Sequence, residues 1–373
     1  MNDFGLSGYR LHEEADLPSP ALLVDRARME GNLRRTLAVA GDVRRLRPHV
    51  KTHKMAGVLK AQLALGVRQF KCATLVEAEM CAREGAEDIL LAYPPVGPSA
   101  GQLVQLAARH AGTRWSAITD TVSVARALSD AARAHDVTVG VWVDLDVGMH
   151  RTGVAPDASA EALYRELSVL PNLALRGLHA YDGHIRDSDP SARTQRCEEA
   201  FAPVLALVRR LSNAGFTPPT IVAGGSPTFA IHAGREGVEC SPGTTVFWDA
   251  GYATQFPDLP YQPAALLMSR VVSKPLDDAL CLDLGYKGVA SESPHPRVIF
   301  PALGDVQAVS HSEEHLVLRG ERAKRFNVGD VLYGVPWHVC PTVALYQEAV
   351  MVEAHRIVDT WPVTARHRRL QGM

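Results

Sequence analysis

No two cysteines in this chain stand close enough to form a C-x-x-C pair; Cys72, Cys81, Cys197, Cys240, Cys281 and Cys340 are scattered. That spacing excludes a disulfide framework and a cysteine-rich zinc module, and it suits free thiols in a reducing compartment. Also missing is any apolar run near the roughly 20 residues that cross a bilayer. The opening MNDFGLSGYRLHEEADLPSP lacks the basic-then-apolar order of a secretory leader, so a cytoplasmic protein is expected. Neither charge is in excess: 39 Lys+Arg meet 41 Asp+Glu, for a net charge of -2. No long-range pull on nucleic acid or an anionic membrane follows, and the expected partner is a small molecule.

What the 373 residues do contain is alternation. Between residues 40 and 250, short β-like runs alternate with segments of helical period, the pattern of βα units around a parallel sheet. Strands are expected at 45–51, 69–74, 88–93, 114–119, 137–147, 173–183, 219–226 and 240–249. Eight such runs fit a (β/α)8 TIM-type barrel, an α/β fold whose chemistry sits at the C-terminal ends of its strands. Beyond residue 255, short alternating runs between Gly, Pro and charged turns mark a second, mostly β domain. The expected division is 26–254 for the barrel and 255–373, with 1–25, for the β domain. ALLVD at 21–25 is expected to pair with the later sheet.

RPHVKTHK (47–54) gathers Arg47, His49, Lys51, His53 and Lys54 within eight residues. A solvated basic patch is the plain alternative. On the barrel, however, Lys51 falls at the C-terminal end of the first strand. Desolvation there, with Arg47 and Lys54 nearby, would lower its pKa and make its amine nucleophilic towards an aldehyde. Pyridoxal phosphate is such an aldehyde, and its phosphate needs a cradle of backbone N–H groups. Gly224 and Gly225 of IVAGGSPTFA, with the hydroxyls of Ser226 and Thr228, offer one; SPGTT adds Gly243 and Thr244. A plain turn is the alternative for the glycine pair. His338 and Cys340 form an H-x-C pair whose side chains would share one face of an extended strand. Imidazole and thiolate together suit a borderline-soft divalent ion such as Zn²⁺, or else form a buried structural pair.

Together, RPHVKTHK, DVGMHRTGV (146–154), AGGSPT and PWHVCPT (336–342) resemble the fold-type III pyridoxal-phosphate enzymes with an alanine-racemase-like barrel. More narrowly, the chain is similar to the D-threonine aldolase and D-serine dehydratase family. The resemblance implies a homodimeric lyase of D-3-hydroxy amino acids that uses pyridoxal 5'-phosphate and a divalent metal, Zn, Mn or Mg. It implies that Lys51 holds the cofactor's aldehyde, Arg151 lies near its phenolic oxygen, and Tyr181 approaches cofactor and substrate. By the same resemblance His338 and Cys340 hold the metal. Arg151 could instead pair with Asp144 or Asp146, and Tyr181 could simply pack at a strand end. His49 and Arg47 are expected to tune and orient the site.

Two residues depart from the aldolase pattern: the second ligand is Cys340 rather than Asp, and Tyr181 is followed by Asp182, with His184 two places on. Both departures lean towards a dehydratase, which releases a 2-oxo acid and ammonia. Length and layout favour an aldolase, the leading expectation, with Asp182 or His184 as its base. A racemase would need a second base across the cofactor from Lys51; a non-enzymatic pyridoxal-phosphate carrier would be a lone barrel. His232, His311 and His315 are expected on loops or strand ends without chemistry.

Overall fold

The computed structural model describes residues 3–370, which fall into two compact units. One holds Leu37–Lys51, Val58–Gly243 and the chain from His367; the other holds the chain up to Thr36, Thr52–Gly57 and Thr244–Arg366. The expected boundaries at 25/26 and 254/255 therefore shift. Buried Asn32 shows why: its Nδ2 donates to the carbonyls of Val246 (3.3 Å) and Gln262 (2.7 Å), and its Oδ1 accepts from the Gln262 N–H (3.0 Å). These bonds tie the helix Arg26–Ala40 to residues far along the chain.

In chain order, β1 (Ala21–Asp25) belongs to the β unit, and seven strands follow in the barrel unit. They are β2 (Gln69–Cys72), β3 (Asp88–Leu91), β4 (Arg114–Thr119), β5 (Val139–Leu145), β6 (Leu173–Ala180), β7 (Thr220–Ala223) and β8 (Val238–Cys240), all parallel and paired in sequence order. The eighth position is held by the expected first strand, which is not regular. Leu46 bridges Cys240 of β8, and His49 bridges Lys71 of β2. The N–H groups of Arg47 and His49 reach the carbonyls of Cys240 (2.9 Å) and Pro242 (3.0 Å), while Pro48 accepts from Lys71 (3.0 Å). Pro48 has no N–H to give, so a continuous ladder cannot form. The last expected strand, 240–249, is also corrected: β8 ends at Cys240, and a 3₁₀ turn (Thr244–Val246) and a helix (Ala250–Gln255) follow.

Leu90, Ile118, Trp142 and Val222, from β3, β4, β5 and β7, form a buried cluster. Arg47 is buried beside it, its guanidinium carbon 5.6 Å from the Trp142 ring centre. It donates to Asp88 (2.6 Å), Glu239 (2.7 Å) and Gln69 (3.2 Å). Gln69 and Asp88 open β2 and β3, so Arg47 lies towards the N-terminal end of the barrel, not among the charges around Lys51.

The β unit is built on a nine-stranded sheet. Its later strands are β9 (Ala265–Leu276), β10 (Ala279–Leu282), β11 (Val298–Ile299), β12 (Gln307–His311), β13 (Leu316–Arg319), β14 (Val331–Pro336), β15 (Glu348–Glu353) and β16 (Arg356–Pro362). As ALLVD suggested, β1 joins this sheet, antiparallel to β9 and parallel to β15. Leu23, Leu266, Met268, Val335, Val350 and Val352 pack its core.

Truncating Arg47 would leave Asp88 and Glu239 short of their cation. Arg47→Ala is expected to cost about 3–5 kcal/mol of stability, read from the urea midpoint at unchanged slope. Burial resists ionisation of Asp88, but Arg47, Arg114 and Arg176 outweigh it and hold the carboxyl below its usual range. That stabilisation is therefore present at neutral pH and fades only as pH falls below the ordinary carboxylate range. A wild-type-like midpoint for Arg47→Ala would remove the cluster from this role.

Candidate active site

Lys51 ends the irregular segment that completes the ring, and a cavity of about 640 Å³ opens beside it. Lys51, His49, Lys71, Arg151, His179 and Tyr181 line one part of the cavity, and Ala73, Ala92, Tyr93, Pro94 and Val96 another. The Lys51 backbone N–H donates to His49 Nδ1 (3.3 Å), so His49 braces the turn that carries the lysine. Arg151 stacks its guanidinium 5.2 Å from the Tyr181 ring centre. Neither aspartate considered as its partner is paired with it: Asp144 takes His179 and Asp146 takes His150, each at 2.7 Å. An exposed guanidinium at the mouth of an aromatic-walled cavity suits an anionic or phenolate oxygen.

The sequence reading passed over Lys71. In QFKC, period-two alternation sets Lys71 on the face opposite Phe70 and Cys72, and that face is the barrel interior. Its Nζ donates to Ser241 Oγ (2.5 Å) and to His179 Nε2 (3.4 Å). His179 Nδ1 in turn donates to Asp144 Oδ1, and Thr152 Oγ1 donates to Asp144 Oδ2 (2.7 Å). This chain fixes the histidine tautomer, with Nε2 as acceptor. Burial and the charge of Lys51 push the Lys71 amine down to about 7. Lys71, rather than Arg47, is thus the cation that shares the cavity with Lys51. Lys54 falls in the stretch that groups with the β unit.

The glycine pair makes a true turn. Gly224 has φ +87°, and a Cβ there would meet the His232 ring at 3.1 Å. Gly225 is braced from behind: its N–H donates to Asp182 Oδ1 (2.9 Å). His232 Nε2 donates to Asp182 Oδ2 (2.8 Å), and Arg235 donates to His232 Nδ1 (2.7 Å). Asp182 is buried with both oxygens committed; burial opposes its ionisation, but the His232 and Gly225 hydrogen bonds hold it below the usual carboxylate range. A base with no free lone pair facing the cavity is poorly placed, so Asp182 supports the loop instead. His232, expected to be idle, is the other half of this support. Cys197 completes a buried trio with Asp182 and His232 whose donor atoms lie within 4.8 Å of one another. Arg235 already supplies the positive charge there, reaching Cys197 Sγ at 3.7 Å, so the trio is a poor home for a cation.

Gly224, Gly225, Ser226, Thr228 and Gly243 do not line the cavity, and Thr228 Oγ1 is spent on Gly225. Thr244 groups with the β unit, where its hydroxyl lies 3.6 Å from Cys340 Sγ. His184 is exposed after β6, and a Cβ on Gly148 would sit 2.9 Å from its Nε2.

In the β unit, His338 and Cys340 come together, but not on a strand. β14 stops at Pro336; His338 then caps the short helix Val339–Val343, and Cys340 lies in its first turn. Asp249 Oδ2 accepts from the Val339 N–H (3.0 Å) and anchors that turn. His338 Nδ1 donates to Glu292 Oε1 (2.5 Å), so Nε2 is the ring nitrogen left to face Cys340 and an ion shared with it. Thr52 Oγ1 stands 3.2 Å from Cys340 Sγ. Burial opposes protonation of His338, yet its hydrogen bonds with Cys340 and Glu292 and the charges of Cys340 and Asp249 raise it to about 9. The pocket therefore draws positive charge to an imidazole whose far nitrogen is locked by a carboxylate, the donor chemistry of a metal centre.

Comparison with known proteins shows what the chain as a whole is similar to. Residues 24–250 match the family described as alanine racemase, N-terminal domain, and residues 264–352 match a serine dehydratase domain family. D-threonine aldolase of Arthrobacter sp is 32% identical over 360 residues, covering 94% of this chain and 93% of that one. The crystal structure of D-threonine aldolase from Filomicrobium marinum superposes with a TM-score of 0.88 at 29% identity, covering 95% of this chain and 97% of that one. A cysteine-to-alanine mutant of D-threo-3-hydroxyaspartate dehydratase, solved in the metal-free form, gives 0.81 at 26% identity, with 93% and 98% covered.

Asp182→Ala would strand the Gly225 N–H and His232 in the interior. An expected loss of about 1–3 kcal/mol in unfolding free energy checks the supporting role; an unchanged midpoint would return Asp182 to the list of candidate bases.

Proposed function

Because the chain belongs to the alanine racemase N-terminal domain family, we propose that it is a pyridoxal-phosphate-dependent lyase of D-3-hydroxy amino acids, acting as a D-threonine aldolase. One observation carries the reading: Lys51 lines a 640 Å³ cavity at the C-terminal strand ends, with Arg151 and Tyr181 on its wall. The pocket fits the cofactor, since Lys51 offers an amine for an aldehyde and Arg151 a cation for an oxygen. Lys51 would hold the cofactor, Arg151 its phenolic oxygen, and the Gly224–Thr228 turn its phosphate, with the Gly225 amide excluded because Asp182 already holds it. His338 and Cys340 would hold the divalent ion.

When bound, pyridoxal phosphate supplies an electron sink for the charge left on Cα, and the ion supplies Lewis acidity. The chain's own part is orientation and proton handling. His49 holds the backbone of Lys51, and Glu292 keeps the Nδ1 proton of His338 in place. Tyr181 and Arg151 wall the substrate side. His184, exposed on the turn after β6, would accept the proton of the β-hydroxyl as Cα–Cβ breaks and the aldehyde leaves; return of that proton to Cα completes glycine. Asp182 has no part in that transfer. The second reading is a dehydratase, in which Lys51 takes the Cα proton and the hydroxyl departs. Cys340 favours it, because the metal-free form of the related dehydratase is a cysteine mutant.

Incubation with D-threonine and with D-serine separates the two. Glycine and acetaldehyde from D-threonine support the aldolase, whereas a 2-oxo acid with ammonia supports the dehydratase. EDTA is expected to abolish either activity, and undiminished turnover in EDTA would exclude the catalytic metal. Glu292→Gln is expected to weaken metal retention by about 10–100-fold in equilibrium dialysis. Wild-type retention would show that Glu292 does not orient His338.

A further inference from the structure

Two strands and a turn send side chains to one point in the barrel: Lys71 from β2, His179 from β6, and Ser241 from the turn after β8. The reaction scheme above uses none of them. Lys71 lines the cavity, and its pairing with His49 sets it level with that residue, two positions before Lys51. Lys51 itself sits in the 3₁₀ turn Val50–Thr52 that follows, so Lys71 lies deeper in the barrel than Lys51. An ammonium has three donors; Ser241 and His179 take two, and one is left.

The charges facing Lys71 are Lys51, Arg151, Asp144 and Asp182, with His179 and the Tyr181 ring, 5.4 Å from Nζ, packed against it. Both aspartates are spent, Asp144 on His179 and Thr152, Asp182 on Gly225 and His232. A buried cation beside other cations, with one donor unspent, calls for an electron-rich acceptor. Pyridoxal phosphate has one polar atom that no residue has yet been assigned. Its ring nitrogen lies para to the carbon bearing the aldehyde, and so points away from the Lys51 end of the cofactor.

We propose that Lys71, steadied by Ser241 and the His179–Asp144 pair, donates a hydrogen bond to the ring nitrogen of the bound cofactor. The proposal rests on the cofactor reading above and deepens it. Lys71 then sets how much charge the ring accepts from Cα, and it holds the ring at a fixed depth.

Equilibrium titration of the apoprotein, followed by absorbance, tests it with two ligands: pyridoxal phosphate and the analogue carrying CH in place of the ring nitrogen. Wild type is expected to prefer the natural cofactor by about tenfold or more, the worth of one hydrogen bond to a charged donor. Lys71→Met is expected to lose that preference and to shift the absorbance band of the bound cofactor. Equal binding of both ligands by wild type, or a preference that survives in Lys71→Met, overturns the assignment. Should Lys71→Met fail to fold, Ser241→Ala decides, because the preference must shrink when Lys71 loses that anchor and an intact preference overturns the proposal. If wild type takes up neither aldehyde, and borohydride fixes none on Lys51, the cofactor reading falls and this proposal with it.

Discussion

The barrel depends on one buried guanidinium. Seven strands pair through regular ladders, but the segment that closes the ring contains Pro48 and is held by only a few backbone bonds. Arg47 compensates by binding Asp88 of β3 and Glu239 of β8 from inside, so an ion cluster replaces the missing ladder. Such a cluster is worth most where it is desolvated and fully paired, and here it is both. Lys51, four residues on, owes its position to that anchorage. The chain of dependence runs from a charge at one end of the barrel to an amine at the other.

Two supports of different chemistry then shape the working end. Behind the glycine turn stand Asp182, His232 and Arg235, a polar run in which both Asp182 oxygens and His232 Nδ1 each have a donor. Beneath the cavity, Asp144, His179 and Lys71 form a second run that ends on an amine with a donor to spare. The first is closed and therefore structural; the second is open and therefore available to a ligand.

Much of this was legible in the sequence where periodicity or a compact motif carried it. The alternation of runs gave six barrel strands near their true places and the β domain beyond, and ALLVD announced its partner sheet. Pro48 hid the closing segment, because a residue without an N–H cannot show ladder pairing. H-x-C was readable as a donor pair, yet its strand was not real: a helix cap follows Pro336 immediately. Asp182 was placed rightly at a strand end, but its orientation is decided by His232, 50 residues away. Lys71 escaped notice because a single inward lysine in a four-residue strand has no periodic signature; its meaning comes from β6 and the turn after β8.

The pairing of β1 carries a consequence for how the chain is made. A ribosome delivers Ala21–Asp25 before the barrel strands, but its parallel neighbour, Glu348–Glu353, emerges after them. Strands β2 to β8 can close their ring while synthesis continues, whereas β1 must wait, apolar and unpaired, for β9 to cover one edge and β15 the other. A nascent chain stalled after the barrel would therefore expose ALLVD as a sticky edge. A strand made before the barrel is buried only after it.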